Sequence, residues 1–293
     1  MRAFADYHPF VLFIYYAAII SITMFFIHPI ILLFSLIGSL LFFSFLTSMK
    51  SFLRDIGFYI LFFLLIAITN PIFVHKGETI LFFLNDNPVT LEAIIYGFFI
   101  AAMLVSVIFW SKSYRELMTS DKFIYLFGRV IPKLSLVISM ALRFIPTFNA
   151  QMKKVNQTQK TLGLYASDSI ADRILNGVRT FNSLLTWSME NAITQADSMK
   201  ARGYGLKGRT SFSLFKWQKR DVFVLSIIAG LIACMMYFNS RNLYRFEFYP
   251  AITQLDFSMK DLSHFVFVFI LMILPALFEV KENLLWRYLQ SRI

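Results

Sequence analysis

Residues 10–27 read F-V-L-F-I-Y-Y-A-A-I-I-S-I-T-M-F-F-I. As a helix this run can cross a bilayer, which takes about 18–20 apolar residues. His28-Pro29 punctuates it, and residues 30–46 form a second span that ends at Thr47-Ser48-Met49-Lys50. Residues 56–70 are a third, flanked by Arg54 and Asp55 and ended by Asn70-Pro71. Residues 91–110 are a fourth, closed by Trp110 and Lys112. Residues 222–238 are a fifth, and 262–279, with Pro275 inside, a sixth. The expected fold is all-α: a polytopic membrane protein with about six transmembrane helices.

Composition agrees. Of 293 residues, 58% are hydrophobic and 18% aromatic, and mean hydropathy is +0.64. Soluble domains hold about 45–50% apolar residues, so the excess needs lipid rather than a larger core. The lone Cys234 lies in an apolar run and excludes a disulfide framework and a cysteine-based metal site. The N-terminus M-R-A-F-A-D-Y-H-P-F leads straight into apolar sequence, so no cleavable signal peptide is expected. Residues 71–90 break the pattern: two short apolar runs bracket Lys76-Gly77-Glu78, and Asn85-Asp86-Asn87-Pro88 follows. Neither run can span, which predicts a loop or re-entrant element packed on protein.

The net charge of +11 is concentrated in one place. Residues 111–220 hold 18 Lys and Arg against 6 Asp and Glu, a net of +12. With a cytoplasmic N-terminus and an even number of crossings, 24 of the 28 basic residues fall inside. Only Lys76, Arg241, Arg245 and Lys260 fall outside. The positive-inside bias therefore predicts a multi-pass protein of the cell membrane with both termini cytoplasmic. The expected division is a membrane domain at 1–110, a cytoplasmic domain at 111–220 and a C-terminal membrane segment at 221–293.

Residues 133–163 read as a long helix after Ile131-Pro132, with apolar residues from Leu134 to Val155 at helical spacing. Pro146 would kink it and Gly163 can end it. Asp168 is a plausible N-cap for a second helix. There, Ile170, Ile174, Val178, Phe181, Leu185, Met189, Ala192, Ala196 and Met199 form a stripe. Polar residues such as Asn176, Arg179, Asn182 and Thr194 take the opposite face. The stripe predicts packing on a neighbouring helix or at the membrane surface, and the polar face and its end are where a partner would be met. The pattern closes at Asn191–Thr210 with Ala201-Arg202-Gly203, and three glycines then stop the helix. An Arg projecting from a helix end suggests an implement for touching another molecule.

Chemistry-bearing patterns are otherwise thin. Gly203–Thr210 has the spacing of a P-loop, but Arg209 stands where Lys is required, and a helix rather than a strand precedes it. His8, His28, His75 and His264 are far apart, so no metal site is expected. Asp55, Glu92 and Glu279 sit at span ends, which argues against an ion-coupled carrier working alone. No catalytic grouping can be placed on one element. The basic charge follows from topology, so no nucleic-acid partner and no cofactor are expected.

The run A-D-S-M-K-A-R-G-Y-G at 196–205 closely resembles the signature of the transmembrane (T) component of energy-coupling factor (ECF) transporters. That family includes the cobalt-transport permease Q proteins. I-P-K-L-S-L-V-I-S-M-A-L-R-F-I-P-T-F at 131–148 resembles its other characteristic stretch, in which Pro132, Arg143 and Pro146 read as structural residues of a coupling helix. The resemblance implies a non-catalytic subunit with a cytoplasmic domain of long amphipathic coupling helices. Its implied partners are two ABC-type ATPase subunits, a membrane substrate-binding S component and the lipid bilayer. Its implied role is in importing a vitamin or metal ion; the alternative is a stand-alone channel or carrier. Two Ala-Arg-Gly-like motifs would dock on the ATPases. Ala201, Arg202 and Gly203 match the second. At the place of the first stand Lys160, Thr161, Leu162 and Gly163, which keep the Gly but not the Arg. Either Lys160 substitutes or that contact is apolar.

Overall fold

The computed structural model describes residues 3–84, 87–128, 131–163, 170–206, 215–241, 243, 244, 246–250, 252, 253 and 259–290. Among them run a 3-10 turn (Ala3–Asp6), α1 (Pro9–Phe25), α2 (Pro29–Leu46), α3 (Met49–Phe73), β1 (Ile80–Leu84), β2 (Asn87–Thr90) and α4 (Leu91–Leu117). Then follow α5 (Ser120–Gly128), α6 (Pro132–Thr161), α7 (Ile170–Ala201), α8 (Lys219–Ser240) and α9 (Met259–Gln290). The chain divides into two compact units, Met1–Lys122 with Phe215–Ile293, and Phe123–Leu214.

The first unit is a bundle of apolar helices. Five described helices are long and apolar enough to cross a membrane: α2, α3, α4, α8 and α9 from His264. With α1, an apolar helix of 17 residues, they make up the expected set of about six. Its core joins α1, α2, α4, α8 and α9 around Trp110, Tyr15, Tyr16, Phe42 and Ile228. By contrast, α3 packs along α4 and leaves most of its apolar side chains exposed.

Several polar groups inside the bundle are paired across helices. Ser35 of α2 lies 2.7 Å from the Thr23 hydroxyl of α1 and 2.6 Å from that of Ser106 in α4. The Trp110 indole N–H donates to it at 3.0 Å. Lys112 of α4 meets Asp55 of α3 at 2.7 Å and lies over the Tyr59 ring at 4.6 Å. Prolines inside helices leave carbonyls one turn back without a partner, and the bundle answers each differently. Pro275 frees the Leu271 carbonyl, which accepts the Tyr15 hydroxyl at 3.0 Å. Pro71 frees the Ala67 carbonyl, and Gly97 of α4 lets that oxygen come close: a Cβ there would stand 2.8 Å away.

Three boundaries differ from the reading of the sequence. Helix α3 starts at Met49 and runs through Pro71 to Phe73, so Asp55 lies inside it, paired with Lys112. Residues 71–90, expected as a loop or re-entrant element, contain an antiparallel hairpin pairing Phe82 with Val89 and Leu84 with Asn87. The run Ile80–Leu84, rich in Ile and Phe, suits a strand, and pairing with Asn87–Thr90 satisfies backbone groups that it could not satisfy alone. The buried Glu92 pins it by accepting from the Thr79 hydroxyl at 2.6 Å. Finally, α9 continues to Gln290, so Glu279 lies within the helix instead of at its end.

Glu279 is one of several side chains that hold the N-terminal turn. It accepts the Phe4 N–H at 3.2 Å, Lys122 donates to the Ala5 carbonyl at 2.7 Å, and Arg220 donates to the Asp6 carbonyl at 3.0 Å. Asp221 accepts the His8 N–H at 3.3 Å, and Trp217 stacks on the His8 ring at 4.1 Å. The points where the chain leaves this unit, near Lys122, and returns, near Trp217, therefore lie at the same end as the N-terminal turn.

Candidate functional site

The second unit is built on α6 and α7. Pro132 opens α6 at its first turn, where a missing N–H costs nothing. The helix continues through Pro146, which has no N–H to offer the Leu142 carbonyl. Helix α7 is unbroken through Gly177. The expected N-cap, Asp168, lies outside the described residues.

The two helices run antiparallel. Near one pole the Thr180 hydroxyl of α7 lies 3.0 Å from Gln159 Oε1 and 3.2 Å from Asn156 Oδ1 of α6. Midway, the Phe144 and Trp187 rings stack at 5.5 Å. At the other pole Met140 of α6 and Met199 of α7 line the same groove. Gln159, Asn176, Thr180 and Leu184 are the buried residues of the pair.

This departs from one of the two expectations for α7, that its apolar stripe packs on a neighbouring helix. Asn176, expected on the partner-facing polar side, is buried, and so is Thr180 one turn on. The apolar stripe faces outward instead: Ile170 is 75% exposed, Ile174 64%, Phe181 63% and Met189 62%. Leu134, Val137 and Ile145 of α6 are likewise exposed. Short polar side chains that hydrogen-bond one another satisfy a helix contact as well as apolar ones do. The signal for this was present as the four-residue spacing of Asn176, Thr180 and Leu184, continued by Trp187, Asn191 and Gln195.

The two helices end alike. At the end of α7 the Gly203 N–H donates to the Lys200 carbonyl at 2.9 Å and the Tyr204 N–H to Met199 at 3.0 Å. With Gly203 at φ +80°, this is a Schellman cap, a backbone reversal for which glycine is suited. Arg202 is the residue before that glycine and is exposed. At the end of α6 the Gly163 N–H donates to the Lys160 carbonyl at 3.1 Å, and Gly163 has φ +73°. Leu162 thus holds the position that Arg202 holds on α7, and it is 69% exposed. Because the helices are antiparallel, these caps lie at opposite poles of the pair, roughly 45 Å apart at 1.5 Å per residue. Lys207–Thr210, the second half of the P-loop-like stretch, lie outside the described residues.

Arg143, assigned a structural part, has its side chain on the wall of the groove beside Arg202. Its helical neighbours Ser139 and Thr147, four residues to either side, line the same groove and would have marked the polar stripe.

A family profile described as CbiQ, cobalt transport protein, matches residues 5–212. The Staphylococcus aureus energy-coupling factor transporter transmembrane protein EcfT is 29% identical over 181 residues, which cover 58% of this chain and 68% of that protein. Its Listeria innocua namesake is 30% identical over 190 residues, covering 60% of this chain and 71% of its own. A Lactobacillus helveticus protein of the same description is 30% identical over 112 residues, or 38% and 40% of the two chains.

Proposed function

The chain belongs to the CbiQ family of cobalt transport proteins, and on that premise we propose that it is the transmembrane coupling subunit of an ATP-driven ECF importer. In this reading it neither hydrolyses ATP nor binds the substrate. Two ABC-type ATPase subunits dock from the cytoplasm at the two poles of the α6–α7 pair. A membrane substrate-binding S component bears on its apolar surface. The cargo is a vitamin or a metal ion, and both termini are cytoplasmic.

The observation that carries the reading is the α6–α7 pair. Polar side chains close the two helices on each other, their apolar stripes face outward, and their caps stand at opposite poles. Uncovered apolar stripes of this length mark a surface made for lipid or another protein. Two well-separated ends suit two docking subunits. A pair held together along its length acts as a lever, so that ATP-driven motion at the poles tilts whatever rests on the stripes. The basic excess of residues 111–220 supports the cytoplasmic side. The common end at which the chain leaves and re-enters the first unit supports it too.

Arg202 carries a permanent charge and a rigid fork of donors, suited to a carboxylate or helix-end carbonyls in a partner. Truncating such an anchor costs about 2 kcal/mol or more. The test is Arg202→Glu, read by ATPase co-purification and substrate uptake, with membrane content as control. Loss of both at normal membrane content is expected. Wild-type uptake by the variant would sink the reading.

A further inference from the structure

Beside Arg202, α6 and α7 part to leave a groove of about 580 Å³. One wall carries Ser139, Arg143 and Thr147 of α6, and the other Thr194, Ser198 and Arg202 from α7 and its cap. In each set the side chains are four residues apart, as helix geometry requires for one face. No Asp or Glu lines the groove. Two permanent cations therefore share one cleft with the hydroxyls of Ser139, Thr147, Thr194, Ser198 and Tyr204 and no compensating anion. Among the described residues neither guanidinium has an ion-pair partner. Both arginines are exposed, so the cleft offers an incoming anion two guanidinium groups with no acidic side chain to compete for them. At the opposite pole Asn156, Gln159 and Thr180 close on one another instead.

We propose that this groove receives an acidic side chain of the ATPase subunit that meets Arg202, and that Arg143 is its second cationic contact. The proposal rests on the docking reading and deepens it. Charge complementarity selects a carboxylate, which accepts in-plane pairs of N–H bonds from a guanidinium. Remaining lone pairs can take the Ser and Thr hydroxyls. Continuity with the α7 cap selects the ATPase as the source, because Arg202 lines the groove and projects from the docking end. The partner would then be gripped by two arginines at this pole, while Leu162 stands at the other.

The experiment uses the assembled complex purified from native membranes. Arg143→Gln, Arg143→Lys and Arg202→Glu are compared for ATPase subunits retained per transporter and for the salt dependence of that retention. Separately, benzoylphenylalanine replaces Thr147 in an otherwise unaltered chain, and photocrosslinks are mapped by mass spectrometry. The expected result is about tenfold weaker retention for Arg143→Gln, with Arg143→Lys partly restoring it. The crosslink from position 147 is expected on an Asp- or Glu-bearing segment of an ATPase subunit. If Arg202→Glu releases the ATPases while Arg143→Gln retains them as wild type does, the groove proposal is overturned and the docking reading stands. If Arg202→Glu also retains them, both fall. If Arg143→Gln unfolds the α6–α7 unit, seen as faster limited proteolysis, the crosslink decides alone, and its absence from the ATPases overturns the proposal. If the loss in Arg143→Gln is reproduced by stripping lipid from wild type and reversed by phosphatidylglycerol vesicles, the groove holds a lipid headgroup and the proposal is overturned.

Discussion

Ser35 and Ser39 are both fully buried on α2, one turn apart, yet replacing each with Ala should have very different effects. The Thr23 hydroxyl spends its hydrogen on the Ile19 carbonyl, at 2.8 Å. Ser35 therefore donates to Thr23 and accepts from Ser106 and from the Trp110 indole. One oxygen ties α1, α2 and α4 together. The Ser39 hydroxyl donates only to the Leu36 carbonyl of its own helix, at 2.9 Å. Interhelical hydrogen bonds in membrane proteins average about 0.6 kcal/mol each, so three are worth roughly 2 kcal/mol. Ser35→Ala also leaves the buried Trp110 N–H without its acceptor, which adds about 1 kcal/mol. The total of about 3 kcal/mol corresponds to a fall in apparent Tm of roughly 6–12 °C at 2–4 °C per kcal/mol. Ser39→Ala should stay within about 0.5 kcal/mol of wild type. The assay is thermal unfolding of the purified protein in detergent, followed by circular dichroism and tryptophan fluorescence. Equal Tm changes for the two variants would refute the hydrogen-bond assignment.

Other outcomes follow from the same structure. Tyr15→Phe should cost about 1–2 kcal/mol, because the Leu271 carbonyl freed by Pro275 loses its donor. In a Pro275→Ala background, where residue 275 regains an N–H, the cost of Tyr15→Phe should fall below about 0.5 kcal/mol; an unchanged cost in that double-mutant cycle would contradict the pairing. His28 is an N-cap whose Nδ1 accepts the Ile30 N–H at 3.3 Å. Burial, aided by the neighbouring His264 imidazole, pulls its pKa down to about 4. Its contribution to stability is therefore full above about pH 6.5 and is lost as pH falls toward 4, where the unfolded chain binds a proton that the folded one refuses. His28→Asn keeps a cap acceptor and should flatten detergent unfolding curves across that window; an unaltered slope would contradict the assignment. Leu162→Ala should leave ATPase co-purification within about twofold of wild type, against about thirtyfold weakening for Arg202→Ala. A larger loss at Leu162 would mean that the apolar cap is the stronger handle.

Much of the fold was legible one element at a time. The spans followed from run length and the two long helices of the middle region from their apolar spacing, while Pro132 and the two glycines marked helix starts and stops. The hairpin at 80–90 was missed because its strands are short, and β2, Asn87–Thr90, carries turn-forming Asn and Pro in place of an apolar alternation. Helix α3 outlasted its expected ends because Pro71 falls in its last turn, where Gly97 lets α4 cover the carbonyl that the proline frees. At the end of α7, Arg202 was visible from its neighbours in the chain. Arg143 was read only as a structural residue of its helix, because its relation to Arg202 exists only across the groove.

The sequence by itself determined that membrane-length helices precede and follow a basic, helical middle region in the chain, since length, apolarity and charge are properties of single segments. It also determined where α6 and α7 stop, because a glycine able to take positive φ is a local requirement. Only the tertiary structure decided which face of α7 is inside. A stripe of apolar residues records that a surface leaves water, and a core, a lipid and a partner protein satisfy that equally. The hydrogen bonds of Thr180 with Gln159, of Ser35 with Trp110 and of Tyr15 with Leu271 depend on how helices register against one another in space. No one-dimensional pattern carries that registry.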